Sequence, residues 1–177
     1  MNIVCYMGGM CGDLIACLID STDSVVRNGR VLTPMQRGKL KKSDLFNSDE
    51  EKDVYLLQIE KKYKSIPSHD LEYHIKRKHD FISIIVNDNS TALWAADRFK
   101  KLHTPEVWEK VAKNSQIDSA NDYAKVLLSA SSLIKDNTDK IINLEDIVNG
   151  HAITKLQPYV TTELNDSFYK EWLIGQR

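Results

Sequence analysis

Apolar residues along this chain alternate between two periods. Ile3 to Tyr6 is a short β-branched run, and Phe81 to Val86 and Ile141 to Leu144 repeat that pattern. Such runs read as buried strands. Between them the spacing becomes helical. Asp13 to Asp20 carries Leu14, Ile15, Cys17, Leu18 and Ile19 on most of its circumference, so it predicts a helix buried on several sides. "SVVRNGRVLT" sets Asn28-Gly29 between two β-branched runs, the pattern of a tight hairpin. Thr33-Pro34 reads as an N-cap with proline at the first helical position.

Further along, Ser48 with Glu51 forms a capping box ahead of Val54, Leu57 and Ile59, on a helix whose other face is charged. "SIPSHDLEYHIKRKHD" holds a short segment and a helix of about two turns. Ser90 or Thr91 can cap the helix that follows Phe81 to Val86, and Thr104-Pro105-Glu106 opens the next one. "SANDYAKVLLSASSLIK" is a longer helix, and "LNDSFYKEWLIGQR" is a last one capped by Asn165 or Asp166. Strands alternating with helices predict an α/β fold of three layers, a mostly parallel sheet with helices on both faces. Residues 1–177 read as one domain, with the hairpin as an excursion.

Composition narrows the partners. Apolar residues make up 42% and charged residues 28%, and the formal net charge is -1. That balance gives no electrostatic case for nucleic acid or for an anionic membrane surface. No apolar run approaches the roughly 20 residues that span a bilayer. The start, Met1-Asn2-Ile3, lacks the basic opening of a signal peptide, and three cysteines suit a reducing compartment. A cytoplasmic protein is expected, in the host cytoplasm if the source is viral.

The chemistry concentrates in "MGGMCGD", between the first strand and the first helix. Gly8, Gly9 and Gly12 allow positive φ and close backbone approach, and Gly8 through Met10, Cys11, Gly12 and Asp13 could hold an anion at a helix N-terminus. Against this, Gly8 stands four positions before Gly12 rather than five, no lysine follows, and Asp13 places a negative charge where a phosphate would sit. The other reading is a tight turn with an acidic N-cap. Cys11 at a helix start is either a nucleophile of lowered pKa or a small residue in a cramped turn.

His69, His74 and His79 are spaced by five, which stacks them on no common helical face. They read as surface histidines, and no metal is expected. His69 alone is a candidate general base, because it ends a segment beside the sheet. Glu145 and Asp146 fit either a site at a strand end or the acidic first turn of a helix. Arg27, Arg30, Arg37, Lys39, Lys41 and Lys42 form a basic stretch, read as a solvated face that could also lend charge to an anion at the glycine turn. Trp94, Trp108 and Trp172 read as core.

Three blocks, "IVCYMGGMCGDLI", "SIPSHDLEYHIKRKHDFISIIVNDNSTALWAADRFKKLH" and "KIINLEDIVNG", resemble in order and spacing the sulfotransferase branch of the P-loop fold. Together they cover about a third of the chain. The whole chain is also similar to short sulfotransferase-like proteins carried by marine tailed phages. The resemblance implies transfer of a sulfuryl group from 3′-phosphoadenosine 5′-phosphosulfate (PAPS) to an acceptor hydroxyl. The glycine turn would hold the donor, and His69 would be the base. The family's phosphate-gripping arginine falls on Asn87 and its serine on Ala95, and its loop lysine has no counterpart. The departures open an alternative, a non-catalytic binding or assembly protein on a degenerate P-loop fold. An anionic nucleotide or small molecule is the expected ligand in either case. A nucleotide kinase fits less well, for want of the lysine.

Overall fold

The computed structural model describes residues 1–20, 25–27 and 30–176. Its main sheet has four strands in the order β4-β1-β5-β6, all parallel. These are β1 (Asn2–Cys5), β4 (Ser65–Ser68), β5 (Phe81–Ile85) and β6 (Ile141–Asn143). The three strands expected from apolar runs are all there and mutually parallel. The segment before His69 proves to be a fourth strand at the sheet's edge. It contains Pro67, which an edge strand tolerates because it lacks only an amide donor.

Strands β2 (Val25–Arg27) and β3 (Arg30–Leu32) pair antiparallel in a separate two-stranded sheet. The Asn28-Gly29 turn lies outside the described residues. After them Thr33-Pro34 starts no α-helix. A 3₁₀-helix begins at Arg37 and runs to Lys41, followed by another over Ser43–Leu45. The Thr33 hydroxyl is used elsewhere, donating to Asp13 and accepting from Lys41, so it is not a cap.

Successive residues of β1 point to opposite faces of the sheet and divide the core in two. Val4, Ile82, Ile84 and Ile142 pack with α1 (Gly12–Asp20), of which every residue except Asp13 is buried. Burying side chains such as Leu14, Ile15, Leu18 and Ile19 stabilises by about 1.5–3 kcal/mol each. Ile3, Cys5, Ile66 and Phe81 pack on the other face against α2 (Asp49–Ile59) and Tyr73 of α3 (Leu71–Lys76). Helix α2 buries Tyr55, Leu56 and Ile59, leaving the expected core residues Val54 and Leu57 exposed. The capping box there is half formed. Ser48 accepts from the Glu51 amide, while the Glu51 carboxylate reaches back one residue further, to Asn47.

Helix α4 (Asn89–Leu102) is capped by Asp88, not by Ser90 or Thr91. Asp88 accepts from the Thr91 amide and from both hydroxyls, which holds its carboxyl well below the usual range. Helix α5 (Pro105–Ser115) follows Thr104-Pro105 as expected, and α6 (Ala120–Lys135) occupies the longer helical segment, capped by Ser119. Glu145 and Asp146 form the first turn of α7 (Leu144–Val148). A short α8 (Ala152–Leu156), which the periodicity did not predict, precedes α9 (Asp166–Ile174), capped by Asn165. Trp172 is fully buried, and Trp94 and Trp108 pack partly buried against the same core. Among the described residues no helix is long and apolar enough to cross a membrane.

Candidate functional site

The glycine turn joins β1 to α1 at the carboxyl end of the sheet, where an open α/β sheet offers its ligand crevice. Helix α4 passes over it. A side chain at Gly9 would start 2.3 Å from the Ala95 carbonyl oxygen, and one at Gly8 would start 2.5 Å from the Phe99 ring. A Cβ on Gly12 would fall 2.0 Å from the Tyr6 ring. The Tyr123 hydroxyl also donates to the Gly8 carbonyl at 3.2 Å. The glycines are thus required, but the groups that approach their backbone are the protein's own. Of the three, only Gly9 uses positive φ, at 89°, and Cys11 takes the second left-handed position at 62°.

Met10 and Cys11 are buried. Burial pushes the Cys11 thiol up, with Arg98 opposing the shift and Asp13 adding to it. The nucleophile reading of Cys11 therefore fails: an activated cysteine needs exposure and a lowered pKa. Asp13 is not an N-cap either. Its carboxylate accepts from Lys41 Nζ at 2.7 Å and from the Thr33 hydroxyl at 3.3 Å. One lysine of the basic stretch therefore does reach the start of α1. Arg37, by contrast, is fully buried against Asp20 and Cys17, so the stretch is not a single solvated face.

His69 follows β4, and β4 lies beside β1, so His69 stands next to the start of α1. Its ring meets the Tyr6 ring edge-on at 4.5 Å. Desolvation lowers its pKa, Asp13 pulls it back up, and Lys41 and His103 push it down. His69 is exposed, so water offsets part of that desolvation. His103, just past α4, is lowered by desolvation first and then by Arg30 and Lys41. Arg98 adds to this and Asp13 opposes it. Arg30 is fixed there by donating to the Leu102 carbonyl at 3.0 Å. Beside Asp13 lies the buried Tyr6 hydroxyl, which makes no hydrogen bond of good geometry. Burial, then the adjacent Asp13, hold it protonated. The rim of the turn thus gathers Arg30, Lys41 and Arg98 against Asp13, around two neutral imidazoles.

Asn87 follows β5 and its polar atoms are committed. Its amide donates to Glu145 at 2.7 Å, its Nδ2 to Asn143 at 2.7 Å, and its Oδ1 accepts from Lys135 at 2.8 Å. Ala95, where the resemblance puts a serine, is fully buried under the turn. His74 corrects the surface reading of the histidines: it is wholly buried. Its Nε2 pairs with Ser68 Oγ at 2.8 Å and its Nδ1 with His79 Nδ1 at 3.0 Å. Among the described residues no group of three or more His, Cys, Asp or Glu is arranged to hold a metal ion.

No protein-family model, curated protein or solved structure matches this chain.

The rim went unrecognised as a unit in the sequence because its members come from four separate segments. Only the clustering of Arg30 and Lys41 in one basic stretch pointed toward it.

Proposed function

We propose that this chain is a non-catalytic α/β binding protein that takes a small anionic ligand, of the anionic-nucleotide or sulfate class, at the rim where α1 begins. The observation that carries the reading is the charge imbalance there. Beyond desolvation, among the described residues Arg30, Lys41 and Arg98 all act to lower the His103 imidazole with Asp13 opposing, while His69 feels Asp13 first and then Lys41. An anion would relieve that imbalance, and the α1 N-terminus adds about half a positive charge. The space inside the turn is taken by Ala95, Phe99, Tyr6 and Tyr123, which argues against a donor cradled by glycine backbone.

A bound anion favours imidazolium, so binding should take up protons and tighten as pH falls from 7.5 to 6. Sulfate and adenosine 3′,5′-bisphosphate should raise the melting temperature in a saturable way, as linkage requires. The rise should be larger at pH 6, and Lys41→Ala should remove most of it. No rise at millimolar ligand at either pH would end the reading.

A second reading, sulfuryl transfer from PAPS with His69 as base, is favoured by one observation: His69 stands in the same group. Its lowered pKa makes it a poor proton acceptor near neutrality. Labelled sulfate followed from PAPS into a broad acceptor pool separates the two. Transfer that vanishes in His69→Ala would establish the enzyme.

A further inference from the structure

A groove of about 420 Å³ opens between the 3₁₀ segments and α2, with Phe46 and Tyr55 in its wall. Their rings lie 5.3 Å apart and tilted by 54°. Over both of them sits the Lys39 ammonium, 5.2 Å from the Phe46 centroid and 5.7 Å from that of Tyr55. Glu50 and Glu51 line the same groove. Both carboxyls are held below their usual range, so both are charged at neutral pH. Hydrogen bonds from the Glu50 amide and Arg77 act on the one, and Asn47 acts on the other. Tyr55 is 8% exposed, and its buried hydroxyl makes no hydrogen bond of good geometry.

We propose that this groove is a binding site for a small quaternary ammonium compound, and that Lys39 is a resident cation the ligand displaces. Two ring faces and two carboxylates attract positive charge, and the carboxylates already have donors of their own. What the groove lacks is a set of free acceptors converging on one point. A primary ammonium is strongly hydrated and wants three acceptors, whereas a quaternary one donates no hydrogen bond and gains most from ring faces. Lys39 is exposed and is held by those rings and by the charge of Glu51, with no contact ion pair among the described residues, so its displacement costs little. The inference is independent of the anion-binding reading, since it concerns a cation and other side chains.

Choline and tetramethylammonium titrated into the ¹⁵N-labelled protein test it. Saturable shifts are expected in the amides of residues 39–58. Lys39→Ala removes the competitor and should tighten binding by about three- to tenfold, because only the lysine-out fraction of the wild type is competent. Phe46→Ala should abolish the shifts. If Phe46→Ala proves poorly folded, 3,3-dimethylbutan-1-ol, the neutral isostere of choline, replaces it as the control and should bind at least tenfold more weakly to Lys39→Ala. Equal binding of the isostere would overturn the proposal, and so would the absence of saturable shifts in Lys39→Ala at tens of millimolar choline.

Discussion

The two sides of the glycine turn are made of the same seven residues and face opposite fates. On the inner side the backbone meets Ala95, Phe99, Tyr6 and Tyr123 at distances only glycine allows. On the outer side Asp13 looks onto Lys41, Thr33 and the histidines, partly open to water. Glycine density in such a turn reports that something comes close to the main chain. It does not report whether that neighbour is a ligand or another helix. Here it is α4, so chemistry is left to the rim.

The sharpest way to break this comparison is Gly9→Val. A β-branched side chain at φ 89° against the Ala95 carbonyl combines left-handed strain with overpacking. It should destabilise by about 3 kcal/mol or more, seen as a lower urea midpoint with no ligand present. In an open cradle only the left-handed strain would remain, about 1–2 kcal/mol, together with lost ligand binding.

Two histidines five residues apart offer the next test. His74 is buried among Ser68, His79 and the Tyr73 and Phe81 rings, and desolvation first, then His79, lowers its pKa to about 4. Asp70 opposes that shift and Lys52 supports it. A folded pKa below the unfolded value of about 6.5 means that the unfolded chain binds more protons between the two. Stability is therefore whole above about pH 6.5 and falls as pH drops toward 4, by on the order of 2–3 kcal/mol from this residue. His74→Gln should flatten that slope, measured as urea midpoints across the range, and His69→Gln should flatten it less, because water reaches the exposed His69 and screens its shift.

Smaller still is Tyr123→Phe, which removes one hydrogen bond to the turn and should cost about 1 kcal/mol. On the rim, Lys41→Ala removes an ion pair whose side chains are each about a quarter exposed. Its effect on stability should stay under about 1 kcal/mol, while its effect on anion binding is large. A reversal, with the rim stabilising and the interior neutral, would invert the account.

Much of the α/β layout was legible because burial imposes period and length. β1, β5 and β6 are apolar runs, and α5 and α9 begin where Thr104-Pro105 and Asn165 place them. What escaped depended on distant partners. β4 is four residues with a proline and two serines, and it reads as a strand only once β1 lies beside it and Ser65 donates to the Ala16 carbonyl. Thr33-Pro34 looked like a helix start until Asp13 and Lys41 claimed its hydroxyl. The orientation of α2 failed for a similar reason: Tyr55 and Leu56 face the sheet, where spacing alone favoured Val54 and Leu57. The glycines were visible, but what fills their space is Ala95 and Phe99, more than eighty residues further along.

Amide chemical-shift mapping with adenosine 3′,5′-bisphosphate tests the central claim most directly, because it reads both sides of the turn in one titration. Saturable shifts are predicted at Asp13, Lys41, His69 and His103, with the Gly8 and Gly9 amides unmoved. Shifts centred on Gly8 and Gly9, growing with ligand and insensitive to Lys41→Ala, would mean that the anion enters the turn and that α4 moves aside to admit it.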